Sequence, residues 1–321
     1  MRRWNHWTMS VLFRVGIMAL LVTGGFLPAG PAMSEETVHM GFSRSVIGEI
    51  NENDTMAALK IWSTQLMVGH DFPIGFQYVI YNGLGEIETA IKQRKVDLIN
   101  LSSIDFFHLQ HFLDHERFAF AVYGGSITVE YLLLVREKSG VADIKDLKQG
   151  VLRLPKGARS ALARVWMDVQ LAKAGLPAAK QFFGQMVTVN KISGAVLPVF
   201  FGKTDACLVT RNGFETMAEL NPQIAHQLRI LAASKAYIPG FLGFRKNYQS
   251  KIKGIILNNM INWHNTPAGN QILTMFQMDD IVLKSIETLG PTMALIKEHR
   301  ALFGVGAQRS RSQSKAKDER F

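Results

Sequence analysis

Stretches that read as buried strands alternate with stretches of helical period along most of this chain, and that alternation limits the folds open to it. TVHMGFS (37–43) reads as a strand, MAALKIWSTQLM (56–67) as an amphipathic helix and FQYVIYN (76–82) as a strand. GEIETAIKQRK (85–95) follows as a helix with Ile87, Ala90 and Ile91 on one face, then VDLINL (96–101) and FAFAVYGG (118–125) as apolar strands. Beyond residue 126 the order repeats. TVEYLLLVRE (128–137), GVLRLP (150–155), MVTVN (186–190), DACLVT (205–210) and LRILAAS (228–234) read as strands. SALARVWMDVQLAKAG (160–175) and GAVLPVFFGK (194–203) read as helices closed by Gly175 and Gly202, and residues 251–303 as helical. Short connections between alternating elements point to doubly wound α/β sheets, and near-continuous apolar strands point to parallel sheets covered on both faces.

Within this pattern one small unit occurs twice. KVDLINLS (95–102) and KTDACLVT (203–210) both read Lys-x-Asp followed, after four residues, by a hydroxyl, and they lie 108 residues apart. In a doubly wound sheet ligands gather where the strands end. Asp97 and Asp205 fall at strand starts and read as turn caps, whereas Ser102, Ser103, Thr210 and Asn212 fall at strand ends and are candidate ligand contacts.

The chain has 321 residues, enough for two lobes with separate cores, and a formal net charge of +10. Residues 1–34 hold +3 of it and residues 305–321 another +3, so the body carries only +4. That balance does not call for a nucleic-acid partner and suits a small anion. Arg2, Arg3 and Arg14 lead into the apolar VGIMALLVTGGFLPAG, and Ala32 and Ser34 have the spacing of a cleavage site; residues 1–34 are expected to be a signal peptide cleaved near Ser34, giving a periplasmic protein. Gly24, Gly25 and Pro28 interrupt the apolar run, against a spanning anchor. The polar, basic stretch 305–321 is expected to be a disordered tail. Cys207 is the single cysteine, so no disulfide forms within the chain, and its apolar setting makes it a buried hydrophobe.

Five stretches carry a resemblance to a known family: VHMGFS (38–43), YNGLGEIETAIKQRKVDLINLSSIDFFHL (81–109), YLLLVREKSGVADIKDLK (131–148), SGAVLPVFFGKTDACLVT (193–210) and ELNPQI (219–224). In order and spacing the chain resembles the exported substrate-binding proteins of phosphate, phosphite and phosphonate ABC transporters. The resemblance implies a two-lobe periplasmic-binding-protein fold of type 2, each lobe a doubly wound mixed sheet, joined by two crossover hinge segments. It implies that residues 35–125 and 235–304 form lobe 1 and 126–234 lobe 2, with the crossovers near YGGS (123–126) and AASKAY (232–237). Gly124 and Gly125 can absorb the rotation of a hinge. It further implies a monomer that holds a small oxyanion or phosphonate between the lobes and hands it to an ABC permease in the inner membrane, with no catalysis and no cofactor. A ligand-sensing subunit for a membrane kinase is the alternative in the same fold, and an enzyme using the same cleft a weaker one.

The residues suggest where an anion binds. LPKGARSALARVW (154–166) places a helix N-terminus directly after a strand, where unpaired N–H groups and the helix dipole attract negative charge. Gly157 permits close backbone approach, Arg159 can fork onto two oxygens, and Ser160 can cap the helix or donate to the ligand. Similar proteins often carry a run of Ser and Thr at this turn, and Lys156, Gly157, Ala158 and Arg159 replace most of it here. Ser43, with Arg44 and Ser45, follows the first strand; Tyr81 and Asn82 end the second; Asn190, Lys191 and Ser193 open another helix. A rival site is HLQHFLDHE (108–116), in which His108, His111 and His115 would share one helical face and could ligate zinc or copper, or form the wet side of an amphipathic helix. No glycine-rich phosphate loop, nucleophile elbow or paired-cysteine cluster is present in the sequence.

Overall fold

The chain forms two mixed sheets and passes between them twice. The computed structural model describes residues 36–47, 52–66 and 74–318. They all fall in one compact unit, and the expected signal peptide and its cleavage site lie outside them. Strand β1 (Glu36–Ser43) leads through the single turn α1 (Arg44–Ile47) and α2 (Glu52–Leu66) to β2 (Ile74–Tyr81). Helix α3 (Leu84–Lys92), β3 (Leu98–Ser102), α4 (Ser103–Leu109) and β4 (Leu113–Val122) follow. The chain then builds the second sheet with β5 (Tyr131–Arg136), β6 (Val151–Pro155), α5 (Ala161–Lys173), α6 (Ala179–Phe182) and β7 (Gln185–Val189). Helix α7 (Ile192–Phe200), β8 (Ala206–Thr210), α8 (Arg211–Leu220), α9 (Pro222–Gln227) and β9 (Leu228–Ala233) complete it. It returns with β10 (Gly240–Arg245), α10 (Ile252–Met260), α11 (Pro267–Met275) and β11 (Asp280–Lys284), and ends in α12 (Gly290–Asp318).

The first sheet has the order β11-β4-β10-β3-β1-β2 and the second β7-β6-β8-β5-β9. Parallel pairing holds for β2, β1 and β3 and for β7, β6 and β8; the remaining pairs are antiparallel. Mixed sheets thus take the place of the wholly parallel ones that the apolar runs suggest. Two strands fall where the sequence pattern shows none. GFLGFR forms β10, in the middle of the first sheet, although glycine weakens strand propensity. A Cβ at Gly240 would lie 2.6 Å from the Leu101 carbonyl oxygen, so the close approach of β10 to β3 needs that glycine. DIVLK forms β11, a short edge strand inside a stretch of otherwise helical period.

Each sheet is covered on both faces. On the first, Met40, Phe42, Leu98 and Phe244 face Leu59 and Trp62 of α2, Ile256 of α10 and Ile272 of α11. Trp62 is 1% exposed; its indole N–H donates to Asn259 Oδ1 at 2.7 Å, which satisfies the polar edge of the buried ring. The opposite face packs Leu101, Phe118 and Phe241 on Ile87 of α3 and Phe106 of α4. On the second sheet, Tyr131, Leu133 and Leu208 pack on Leu162 and Trp166 of α5, and Leu132, Leu134 and Val209 on Val196 of α7. Helix α12 touches both halves. Leu295 and Ile296 sit in the core of the second sheet beside Trp166, while the Arg300 guanidinium lies 5.1 Å from the Phe107 ring of α4. The backbone of α12 runs on to Asp318 through the basic stretch that composition reads as unstructured; Ala, Gln, Arg and Lys are strong helix formers and no proline interrupts them.

Candidate functional site

Three parallel strands of the second sheet end side by side, and each feeds the start of a helix. After β6, the Lys156 N–H donates to the Val189 carbonyl at 2.8 Å, which ties the ends of β6 and β7 together. Gly157 then adopts φ 109°, a conformation that side chains disfavour. The Ser160 N–H closes the turn on the Gly157 carbonyl at 3.0 Å. Beneath it, the fully buried Tyr131 donates its hydroxyl to the Arg159 carbonyl at 2.8 Å; burial pushes that phenol well above its ordinary pKa, so it remains a donor. After β7, Lys191 caps α7 by position only, with no side-chain bond to the helix. After β8, the Thr210 hydroxyl accepts the Gly213 N–H at 3.3 Å. None of α5, α7 and α8 carries an acid in its first turn, so the positive ends of their dipoles are not neutralised there.

These loops border a cavity of about 710 Å³ whose other wall comes from the first sheet and α11. Lys156, Arg159, Ser160, Lys191, Ser193 and Thr210 line one side. Phe42, Asn100, Ala119, Tyr123, Leu242 and Met275 are among those on the other, and among the described residues no Asp or Glu lines it. Arg159 reaches across. Its guanidinium lies 4.9 Å from the centre of the Tyr123 ring, and Nη2 donates to Gln277 Oε1 at 3.1 Å. Burial pushes the Tyr123 phenol above its usual value, against the pull of that neighbouring charge.

Residues 51–288 match the family described as ABC transporter, phosphonate, periplasmic substrate-binding protein. This chain belongs to that family. As a substrate-binding component of a transporter it is a binding protein and not an enzyme. A comparison with curated proteins found no match. Among solved structures, a binding-protein component of an ABC phosphonate transporter from Pseudomonas aeruginosa is similar at 15% identity and TM-score 0.56, over 89% of this chain and 95% of that one. PhnD1 from Prochlorococcus marinus, in complex with methylphosphonate, is similar at 14% identity and TM-score 0.53, over 83% and 97%. XAC2383 from Xanthomonas citri, bound to ATP, is similar at 10% identity and TM-score 0.58, over 84% and 98%. At such identities the likeness establishes the periplasmic-binding-protein fold.

In this binding protein the strand-end residues expected to converge divide into two groups. Gly157, Arg159, Ser160, Lys191, Ser193 and Thr210 come together at the cavity. Ser43, Tyr81, Asn82, Ser102, Ser103 and Asn212 do not line it. Ser102 caps α4 by accepting the Asp105 N–H at 3.1 Å, and the Ser103 hydroxyl donates to the Ile238 carbonyl at 2.6 Å. Ser43 and Ser45 donate to the Asp105 carboxylate at 2.9 and 2.6 Å. Asn82 accepts from Arg44 Nε, Tyr81 is buried on the side of α3, and Asn212 packs against Gly124. Asn100, Tyr123 and Gln277 line the cavity without a signal in the strand-end argument, although a lone amide inside the apolar run LINL is unusual enough to find Asn100.

The histidine stripe does not form. Helix α4 stops at Leu109, a short 3₁₀ turn spans Gln110–Phe112, and His115 lies in β4. The chain leaves the helix because Phe118 and Phe120 are needed at a period of two, paired with β10 and β11. His115 Nε2 bonds the Gln110 carbonyl at 2.7 Å, and His111 packs on Phe112 with ring centres 3.9 Å apart. Among the described residues no group of three His, Cys, Asp or Glu is placed to hold a metal. Cys207 is buried, and burial pushes its thiol far above the ordinary range.

Proposed function

We propose that this binding protein captures a small phosphorus oxyanion, either phosphate, phosphite or a phosphonate, between its two sheets and delivers it to an ABC permease in the inner membrane. The observation that carries this reading is the meeting of three acid-free helix N-termini at a cavity that, among the described residues, no carboxylate lines. Backbone N–H groups at the starts of α5, α7 and α8 hold the oxygens. Ser160, Ser193 and Thr210 add hydroxyls, Lys191 and Arg159 add charge, and Gly157 lets the backbone come close. The methylphosphonate in the Prochlorococcus marinus relative and the transporter of the Pseudomonas aeruginosa relative agree with this reading. Residues 35–125 and 235–304 would act as one lobe and 126–234 as the other, closing about the two crossings, in an exported monomer whose leader is removed near Ser34.

Calorimetric titration of the purified protein with methylphosphonate, phosphate, phosphite and sulfate tests the reading. The expected outcome is saturable binding of at least one phosphorus anion at physiological salt. A folded protein that gives no heat with any of them would overturn it.

A further inference from the structure

The cavity continues past the anion loops into the body of the first sheet. Its floor there is the face shared by Phe42, Asn100, Leu242 and Ala119, which stand in register on β1, β3, β10 and β4. Gly240 and Ala121 continue the floor toward the cleft. These small residues in a sheet otherwise rich in Phe and Leu leave the space open. Leu59 of α2 and Ile272 of α11, each 1% exposed, form part of the roof, with Trp263 at 3%. Among the described residues this inner end is apolar but for one group. Asn100 Oδ1 is buried without a hydrogen-bond partner, a state that few buried polar atoms tolerate.

Resting on the reading of the mouth as an anion site, we propose that this inner chamber receives the organic substituent of a phosphonate: an apolar carbon body carrying one neutral hydrogen-bond donor, such as a hydroxyl or amide N–H, that meets Asn100. The apolar lining gains from burying methylene or ring carbon. The orphaned amide oxygen gains from a donor brought in by the ligand, which repays the desolvation already incurred. An ammonium group would enter a chamber in which no carboxylate among the described residues can pair with it, and an unpaired buried charge is strongly disfavoured. The site therefore selects neutral over cationic substituents.

The test is calorimetric titration of the full chain with methylphosphonate, butylphosphonate, 4-hydroxybutylphosphonate and 4-aminobutylphosphonate. Butylphosphonate is expected to bind roughly tenfold to fiftyfold more tightly than methylphosphonate. The aminobutyl compound is expected to bind at least about tenfold more weakly than the hydroxybutyl compound. In Asn100→Leu the hydroxybutyl-to-butyl affinity ratio should fall about tenfold, and in Ala119→Leu the butyl-to-methyl ratio should fall toward unity. Equal affinity for methyl and butyl compounds in the wild type overturns the chamber while leaving the anion site standing. Aminobutyl binding as tight as hydroxybutyl overturns the selectivity. No binding of any phosphonate overturns the chamber, and the anion reading falls with it only if phosphate and phosphite fail to bind as well. The wild-type series decides the matter even if a variant fails to fold.

Discussion

The two Lys-x-Asp units do the same structural work and end in opposite electrostatics. Asp97 sits just before β3 and accepts the N–H of His39, in the neighbouring strand β1, at 3.0 Å. Asp205 sits just before β8 and accepts the N–H of Val151, in the neighbouring strand β6, at 2.7 Å. Five residues on from each, the hydroxyl caps the next helix: Ser102 takes the Asp105 N–H and Thr210 the Gly213 N–H. The units part at that third helical position. Asp105 lays its own carboxylate at the start of α4, fastened by Ser43 and Ser45, whereas Gly213 leaves the start of α8 open to the cavity. One backbone solution thus yields a helix end already supplied with negative charge and another with no acid in its first turn. Asp97 has also been drawn further into the core, at 5% exposure, where Arg245 Nε donates to it at 3.0 Å; Asp205 stays exposed.

The largest effect should come from breaking the first clip. Asp97→Ala leaves the Arg245 guanidinium, itself largely buried, without its counter-charge and should cost about 3 kcal/mol or more of stability. The same change at Asp205 should cost about 1 kcal/mol. Urea denaturation of the two variants gives the comparison directly, and equal losses would show that depth of burial does not separate the units. Next, the open half can be made to resemble the sealed one. Ser193→Asp places a carboxylate in the first turn of α7 and should weaken methylphosphonate binding by roughly a hundredfold, with little change in melting temperature. Retained affinity would argue that this helix end is not where the oxygens sit.

Arg159→Ala should weaken the best phosphorus anion by roughly tenfold to a hundredfold, the worth of a charged hydrogen bond. Gln277→Ala separates charge from bridging. It removes the partner of Arg159 across the cleft and should change affinity by less than about threefold if the arginine acts chiefly on the ligand. A loss in Gln277→Ala matching that of Arg159→Ala would assign the arginine to holding the two halves together. Smallest should be the two caps. Ser102→Ala and Thr210→Ala should each lose about 1 kcal/mol of stability, but only Thr210→Ala should also lower affinity, by a few-fold. A matched effect of both caps on affinity would erase the distinction between the two halves.

The sequence made the strand ends of the second sheet legible, since apolar runs such as ACLVT stop abruptly at Thr210 and the next residues begin a helix. It could not separate Ser102 from Thr210, because the decisive residue lies three positions further on, an aspartate held by Ser43 and Ser45 in one unit and a glycine in the other. Strand β10 was hidden by Gly240 and Gly243, whose missing side chains are what let Leu101 and the Phe118 ring come close. The apolar half of the cavity was hidden for another reason. Phe42, Leu59 and Ile272 look like any core residue, and the space between them arises only when Ala119 and Ala121 stand beside them in register. His108, His111 and His115 fit a helical period, but long-range pairing of Phe118 and Phe120 outweighed that local preference.

Helix α12 adds a mechanical constraint to the two crossings of the chain. At its start the buried Thr292 hydroxyl accepts the Ile238 N–H at 2.8 Å, on the crossing between β9 and β10. Further along, Glu298 pairs with Lys173 and His299 with Asp168, both on α5, which belongs to the second sheet. Two connecting strands alone would leave the halves free both to bend and to twist. A stiff rod pinned beside the crossings, fastened along α5 and touching α4 through Arg300, ties the halves at a further place. In the closure proposed above, that further tie would oppose twisting and leave bending as the easier motion.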